Sequence, residues 1–239
     1  MITVRGSREA WGAGLLFLLA SWASSAPPRT ARSPSFRAPD WGAVFAGAAP
    51  LVEAAARERI ARGESDADLL SLAEAYSVAH EAGGEEALRE AAIRTYERLL
   101  TEQPDHPKRT LALYRLGRLH RAAGAPEHAR RYDARLAGQH PLSPHTIAMY
   151  VALAEDRLRE GDAASAANYA ERAATYHDRA DLPRSALGAY ARYLHAWAMR
   201  ASDASAARVV LASARATAVR ARARALVTAI DRDRCAFAP

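Results

Sequence analysis

From Leu51 to Arg234 apolar side chains return every three or four residues, and no segment alternates apolar with polar as a half-buried strand would. That periodicity confines the body of the chain to helices. Glycine and proline cut it at Gly63, Gly83-Gly84, Pro104 to Pro107, Gly124, Gly138 to Pro144, Gly161, Asp181 to Pro183 and, with polar residues alone, Ser202-Asp203. One short leading helix and then four helix pairs are predicted. Helix starts are marked by Ser143 before Pro144, Asp162 after Gly161, and Pro126 followed by Glu127, where a side-chain acceptor, a proline or an acid suits the exposed N–H groups of a first turn.

The pairs repeat one another. In the second, Leu113, Leu116, Gly117 and His120 fall on the first helix, Gly124 makes the turn, Ala129 and Leu136 fall on the second helix, and Pro141 ends it. Gly117 to Ala129 and Ala129 to Pro141 are each 12 residues. Ala92, Tyr96, Leu99 and Pro104 echo the closing half in the preceding pair. Tyr150, Leu153, Ala154, Gly161, Ala166, Ala170 and Ala173 echo most of the set in the following pair, and Gly124 to Gly161 is 37 residues. Small residues at such positions let helices approach closely, while the larger neighbours fill the space beside them.

This pattern resembles the tetratricopeptide repeat family, most clearly over residues 66 to 178. Leu113 replaces the family's first aromatic residue, and Asp133 stands where an aromatic is usual, with Tyr132 beside it. The resemblance implies an all-α, right-handed superhelical solenoid of antiparallel helix pairs over residues 51–234, with a short tail at 235–239. It also implies a concave groove, lined by first helices, that receives a partner segment. Carried onto this chain, the groove comprises Leu111, Tyr114, Arg115, Arg118 and Arg121 from the second pair and Val151, Glu155 and Leu158 from the third. Three arginines and a tyrosine suit an acidic or aromatic-bearing segment, because guanidinium groups bind carboxylates through two parallel hydrogen bonds. The lysines and asparagines of the family's chaperone-tail clamp are missing here.

Ahead of the helices, Arg5 and Arg8 precede an apolar run from Trp11 to Ala23, followed by small residues at Ser24, Ser25 and Ala26. These are the three parts of a secretory signal peptide, predicted over residues 1–26. The run is short for a membrane span, so an uncleaved anchor is the alternative. Residues 27–50, rich in Pro, Ala, Ser and Arg, read as a linker in which Trp41, Val44 and Phe45 form an apolar knot.

Charge and chemistry narrow the function. The net charge is +6, yet acids and arginines interleave at helical spacing, as in Glu90, Arg94, Glu97 and Arg98, which describes paired solvent faces better than a nucleic-acid surface. One cysteine, Cys235, excludes a disulfide framework or a thiolate zinc site. The eight histidines include no four-residue helical pair, and no serine sits in a Gly-x-Ser-x-Gly elbow. No cofactor or metal is expected. The last helix is predicted as one long element from about Ser205 to Arg232, with an apolar stripe of Ala212, Ala216, Val219, Ala223, Leu226 and Ile230 edged by Arg208, Arg215 and Arg222. The expectation is therefore a noncatalytic interaction scaffold, exported to the bacterial periplasm or envelope. The alternative is an anionic-lipid or nucleic-acid binder using that arginine edge, with membrane contact only there or through an uncleaved N-terminus.

Overall fold

The computed structural model describes residue 36 and residues 49–61, 69–182 and 185–237. The predicted signal segment, nearly all of the linker with Trp41, Val44 and Phe45, the break at Gly63 and the end of the tail lie outside the described residues. The described residues are all-helical, with ten α-helices, one 3-10 turn and no strand. They fall into two compact units, one ending at Thr146 and a second that begins at Ile147 and includes Phe36. The sequence reading treats residues 51–234 as one repeat domain; the boundary between units falls inside a helix.

The first unit holds α1 (Ala49–Ala61), α2 (Leu69–Gly83), α3 (Glu86–Glu102), α4 (Arg109–Ala122) and α5 (Pro126–Gln139). Each helix packs on the next. Leu69, Ala73, Ala92, Tyr96, Leu99, Ala112, Leu116 and Leu119 form its core, with Tyr132 laid against it. Helix α4 is buried on nearly every side, from Leu111 through Gly117 and on to Leu119 and His120, whereas α3 and α5 each bury a single face.

The second unit contains most of α6 (Pro144–Glu160), then α7 (Ala163–Arg179), α8 (Ala186–Met199), α9 (Ala204–Arg220), α10 (Arg224–Asp233) and a 3-10 turn at Arg234–Phe237. Here α8 is the enclosed helix, packed between α7 and α9 and buried at ten positions from Leu187 to Ala198. Asp162, Ser185 and Asp203 cap α7, α8 and α9, their side chains accepting the N–H of Ser165, Leu187 and Ala206.

The second helices repeat a buried triplet. Ala92, Tyr96 and Leu99 on α3, Ala129, Asp133 and Leu136 on α5, and Ala166, Ala170 and Ala173 on α7 share the same spacing and stand 37 residues apart. Ala207, Leu211 and Ala214 on α9 keep that spacing. The turns repeat as well. Gly124 and Gly161 both have positive φ, 69° and 84°, and in both the following N–H reaches back five residues, Ala125 to the His120 carbonyl and Asp162 to the Arg157 carbonyl, at 2.9 Å.

One expectation is corrected. The single terminal helix expected over residues 205–232 is two helices. Arg222 takes the left-handed conformation, φ 56°, and the Ala223 N–H bonds the Ala218 carbonyl at 2.9 Å, the turn made elsewhere by glycine. The expected apolar stripe is thereby split. α9 buries Ala207, Leu211, Ala214, Thr217 and Ala218, and leaves Ala212, Ala216 and Val219 exposed.

Candidate partner-binding site

The groove residues carried over from the family resemblance are largely engaged within the chain. Leu111 and Tyr114 on α4 are 8% and 1% exposed, and the Tyr114 ring faces that of His145 at 6.1 Å. Arg115 and Arg118 converge on one carboxylate, Glu81 of α2, at 3.2 and 3.3 Å. Arg121 turns elsewhere and pairs with Asp133 of α5. In the second unit Val151 is wholly buried, and Glu155, only 2% exposed, pairs with Arg159, while Leu158 is half-buried.

Burial has displaced two of these groups from their ordinary ionisation. Loss of water around Glu155 outweighs the neighbouring Arg159 and pushes its carboxyl up to about 7. His145 accepts or donates a hydrogen bond with the Thr110 hydroxyl at 3.0 Å. Burial, and then the positive charges of Arg115 and Lys108, push it down to about 4, so it is neutral at pH 7.

His120, on the enclosed helix α4, stacks with His128 at 5.2 Å and with Tyr132 at 5.4 Å, and the Tyr132 hydroxyl donates to Glu97 at 2.7 Å. It packs as an aromatic ring. Among the described residues no three His, Cys, Asp or Glu side chains come together to hold a metal, and no helix is long and apolar enough to cross a membrane.

A second surface was not read from the sequence. Phe36 is 8% exposed and lies against α8, its ring centroid 6.0 Å from Tyr193 and 5.8 Å from Trp197, edge-on to the indole. Phe237, placed by the sequence reading in a loose tail, is 3% exposed and meets Trp197 edge-on at 5.4 Å. Arg200 lies over the Trp197 ring at 4.7 Å. The Tyr193 hydroxyl donates to Asp233, which ties α8 to α10 and fixes the base of this aromatic cradle. The one available signal was aromatic content: Phe36 and Phe237 are two of only four phenylalanines, and large aromatics bury area too valuable to leave in water.

Beside the cradle, α9, α10 and the 3-10 turn enclose a trough of about 540 Å³. Leu211, Ala212, Ile230 and Phe237 form its floor, and Arg208, Arg215 and Arg234 its rim. Asp231 holds Arg215 through two hydrogen bonds of 2.6 and 2.9 Å. Arg208 and Arg234 are exposed and make no ion pair among the described residues. Three of the arginines expected to edge one long helix are thus divided, with Arg208 and Arg215 on α9 and Arg222 in the turn. Compared with known protein families, curated proteins and solved structures, the chain finds no match in any of the three.

Proposed function

We propose that this chain is a noncatalytic interaction scaffold of tetratricopeptide-like helix pairs, stacked as a right-handed solenoid, that holds a segment of a protein partner in the bacterial envelope. The observation that carries the reading is the recurring buried triplet on α3, α5, α7 and α9, joined to the shared left-handed turn at Gly124 and Gly161. Repeated hairpins of this kind bury one another's apolar faces and leave side chains free to vary for recognition. Export rests on the charged, apolar and small-residue succession of residues 1–26.

Affinity capture of the mature chain from an envelope fraction, at low and at high salt, tests the proposal. A defined protein should co-purify in fixed ratio and survive the higher salt. Binding only to anionic vesicles or nucleic acid, lost steeply as salt rises, overturns it in favour of the arginine-edged terminal region.

A further inference from the structure

The aromatic cradle and the trough share Phe237, whose ring meets Trp197 and lines the trough floor. We propose that together they form one docking site for a peptide segment carrying an aromatic side chain beside carboxylates, and that Phe36 occupies the aromatic half of it in cis. The proposal rests on the scaffold reading and gives that scaffold a place and a partner chemistry.

Two independent observations carry it. Phe36 shows what the cradle accepts: a flat ring seated against Tyr193 and edge-on to Trp197. The rim shows what the trough lacks. Arg215 is bound directly by Asp231, whose charge Arg234 also feels without pairing to it, whereas Arg208 makes no ion pair among the described residues; Arg208 and Arg234 stand over an apolar floor. An apolar trough of about 540 Å³ is of the size that holds several side chains of a bound segment. Carboxylates beside an aromatic anchor complement both halves at once.

The occupant in cis matches only one half. Residues 27–45 carry Arg29, Arg32 and Arg37 against Asp40, the same sign as the rim. Phe36 therefore brings the ring without net negative charge for Arg208 and Arg234, and a segment that brings both is the better ligand. Phe36 keeps the cradle filled until such a partner arrives.

The test uses the full chain with an environment-sensitive dye on Cys235, its only cysteine, which is exposed next to the rim. The probes are a 12-residue synthetic peptide with one Phe among four Glu, and two controls with Phe→Ala or all Glu→Gln. The acidic aromatic peptide should bind and change the dye emission, and both controls should bind far more weakly. Phe36→Ala should tighten binding about tenfold if the cradle is filled about nine-tenths of the time. Arg208→Glu with Arg234→Glu should weaken it by at least about tenfold. Unchanged or weaker binding in Phe36→Ala, or equal binding of the Gln control, overturns the proposal. Should Phe36→Ala loosen the terminal helices, hydrogen exchange over residues 190–199 and 224–237 will rise, and added peptide must restore protection. Exchange that peptide does not slow also overturns it. The two readings fail separately. A protein partner captured equally by the wild type and the double arginine variant removes this site and keeps the scaffold. Peptide bound as expected, with no protein partner captured, keeps the site and removes the scaffold.

Discussion

Gly117 and Asp133 fit together only because Gly117 has no side chain. A methyl group on Gly117 would stand 2.5 Å from an Asp133 carboxylate oxygen, while the other oxygen of that carboxylate pairs with Arg121. The repeat thus uses its small residue on α4 to admit a buried, charge-paired acid from α5. The second unit has a parallel: a methyl group on Gly188 of α8 would overlap the His177 ring of α7, which is 4% exposed.

Gly117→Ala should therefore destabilise the chain. An exposed helical Gly→Ala change gains about 1 kcal/mol, but overpacking costs roughly 1–3 kcal/mol, and Asp133 can move aside only by giving up Arg121. Urea unfolding should show a net loss of about 1–2 kcal/mol. Asp133→Ala has its own cost, since it strips Arg121 of its carboxylate, but in that background Gly117→Ala should cost much less than in the wild type. If the two changes prove additive, the contact between them is not what limits this position.

Arg115 belongs to the interior of the first unit. Its side chain is 7% exposed and its partner Glu81 is 18% exposed. Glu81→Ala should cost on the order of 3 kcal/mol, because it leaves a buried guanidinium without its carboxylate. Arg115→Glu should cost more, placing two acids side by side, and should lower helicity as well as any binding. Circular dichroism through a thermal melt separates a structural role from a recognition role. An unchanged melt in both variants would return Arg115 to the list of accessible binding residues.

Glu155 and His145 should give the two units opposite responses to pH. The folded-state value for Glu155, about 7, lies above the 4.5 of an unperturbed carboxyl, so the folded chain holds this proton more tightly. Its contribution is greatest below pH 4.5 and is lost as pH rises to about 7, on the order of 3 kcal/mol in all. His145 is displaced the other way, from 6.5 to about 4, so its contribution is present above 6.5 and is lost as pH falls to about 4. Stability of Glu155→Gln relative to the wild type should climb from pH 4.5 to 7. Local hydrogen exchange should show the first unit opening more readily in acid. A pH-independent difference for Glu155→Gln would mean that the buried carboxyl titrates normally.

Arg222→Gly should stabilise the α9–α10 turn. Arg222 has φ 56°, where a side chain costs roughly 1 kcal/mol that glycine avoids. Glycine gives back part of that through the freedom of the unfolded chain, leaving a gain of about 0.5 kcal/mol. Thermal unfolding measures it, and hydrogen exchange over α10 should slow. A loss of stability would show that the arginine side chain holds the turn by contacts outweighing the backbone cost.

Local chemistry made most helix boundaries legible in advance. Glycine with positive φ at Gly124 and Gly161, the capping acid Asp162 and the proline at Pro126 act within a few residues of themselves, so their effect can be read along the chain. The spacing of Ala92, Ala129 and Ala166 was visible for the same reason, since which residues share a helix face depends only on their separation. Arg222 escaped this reading because its left-handed backbone has no side-chain signature.

Tertiary structure decided what each charged or aromatic group does. Arg115 and Arg118 looked alike to Arg121 on the helix surface, yet two meet Glu81, 34 residues before the first of them, and the third meets Asp133. Tyr114, Val151 and Glu155 looked available because helical spacing cannot tell a face open to water from one closed by a third helix. Phe36 and Phe237 lie 201 positions apart in the chain and line one cradle. Periodicity sets which side of a helix is apolar, whereas the pairing of a charge or the seat of a ring depends on distances that exist only once the helices have packed.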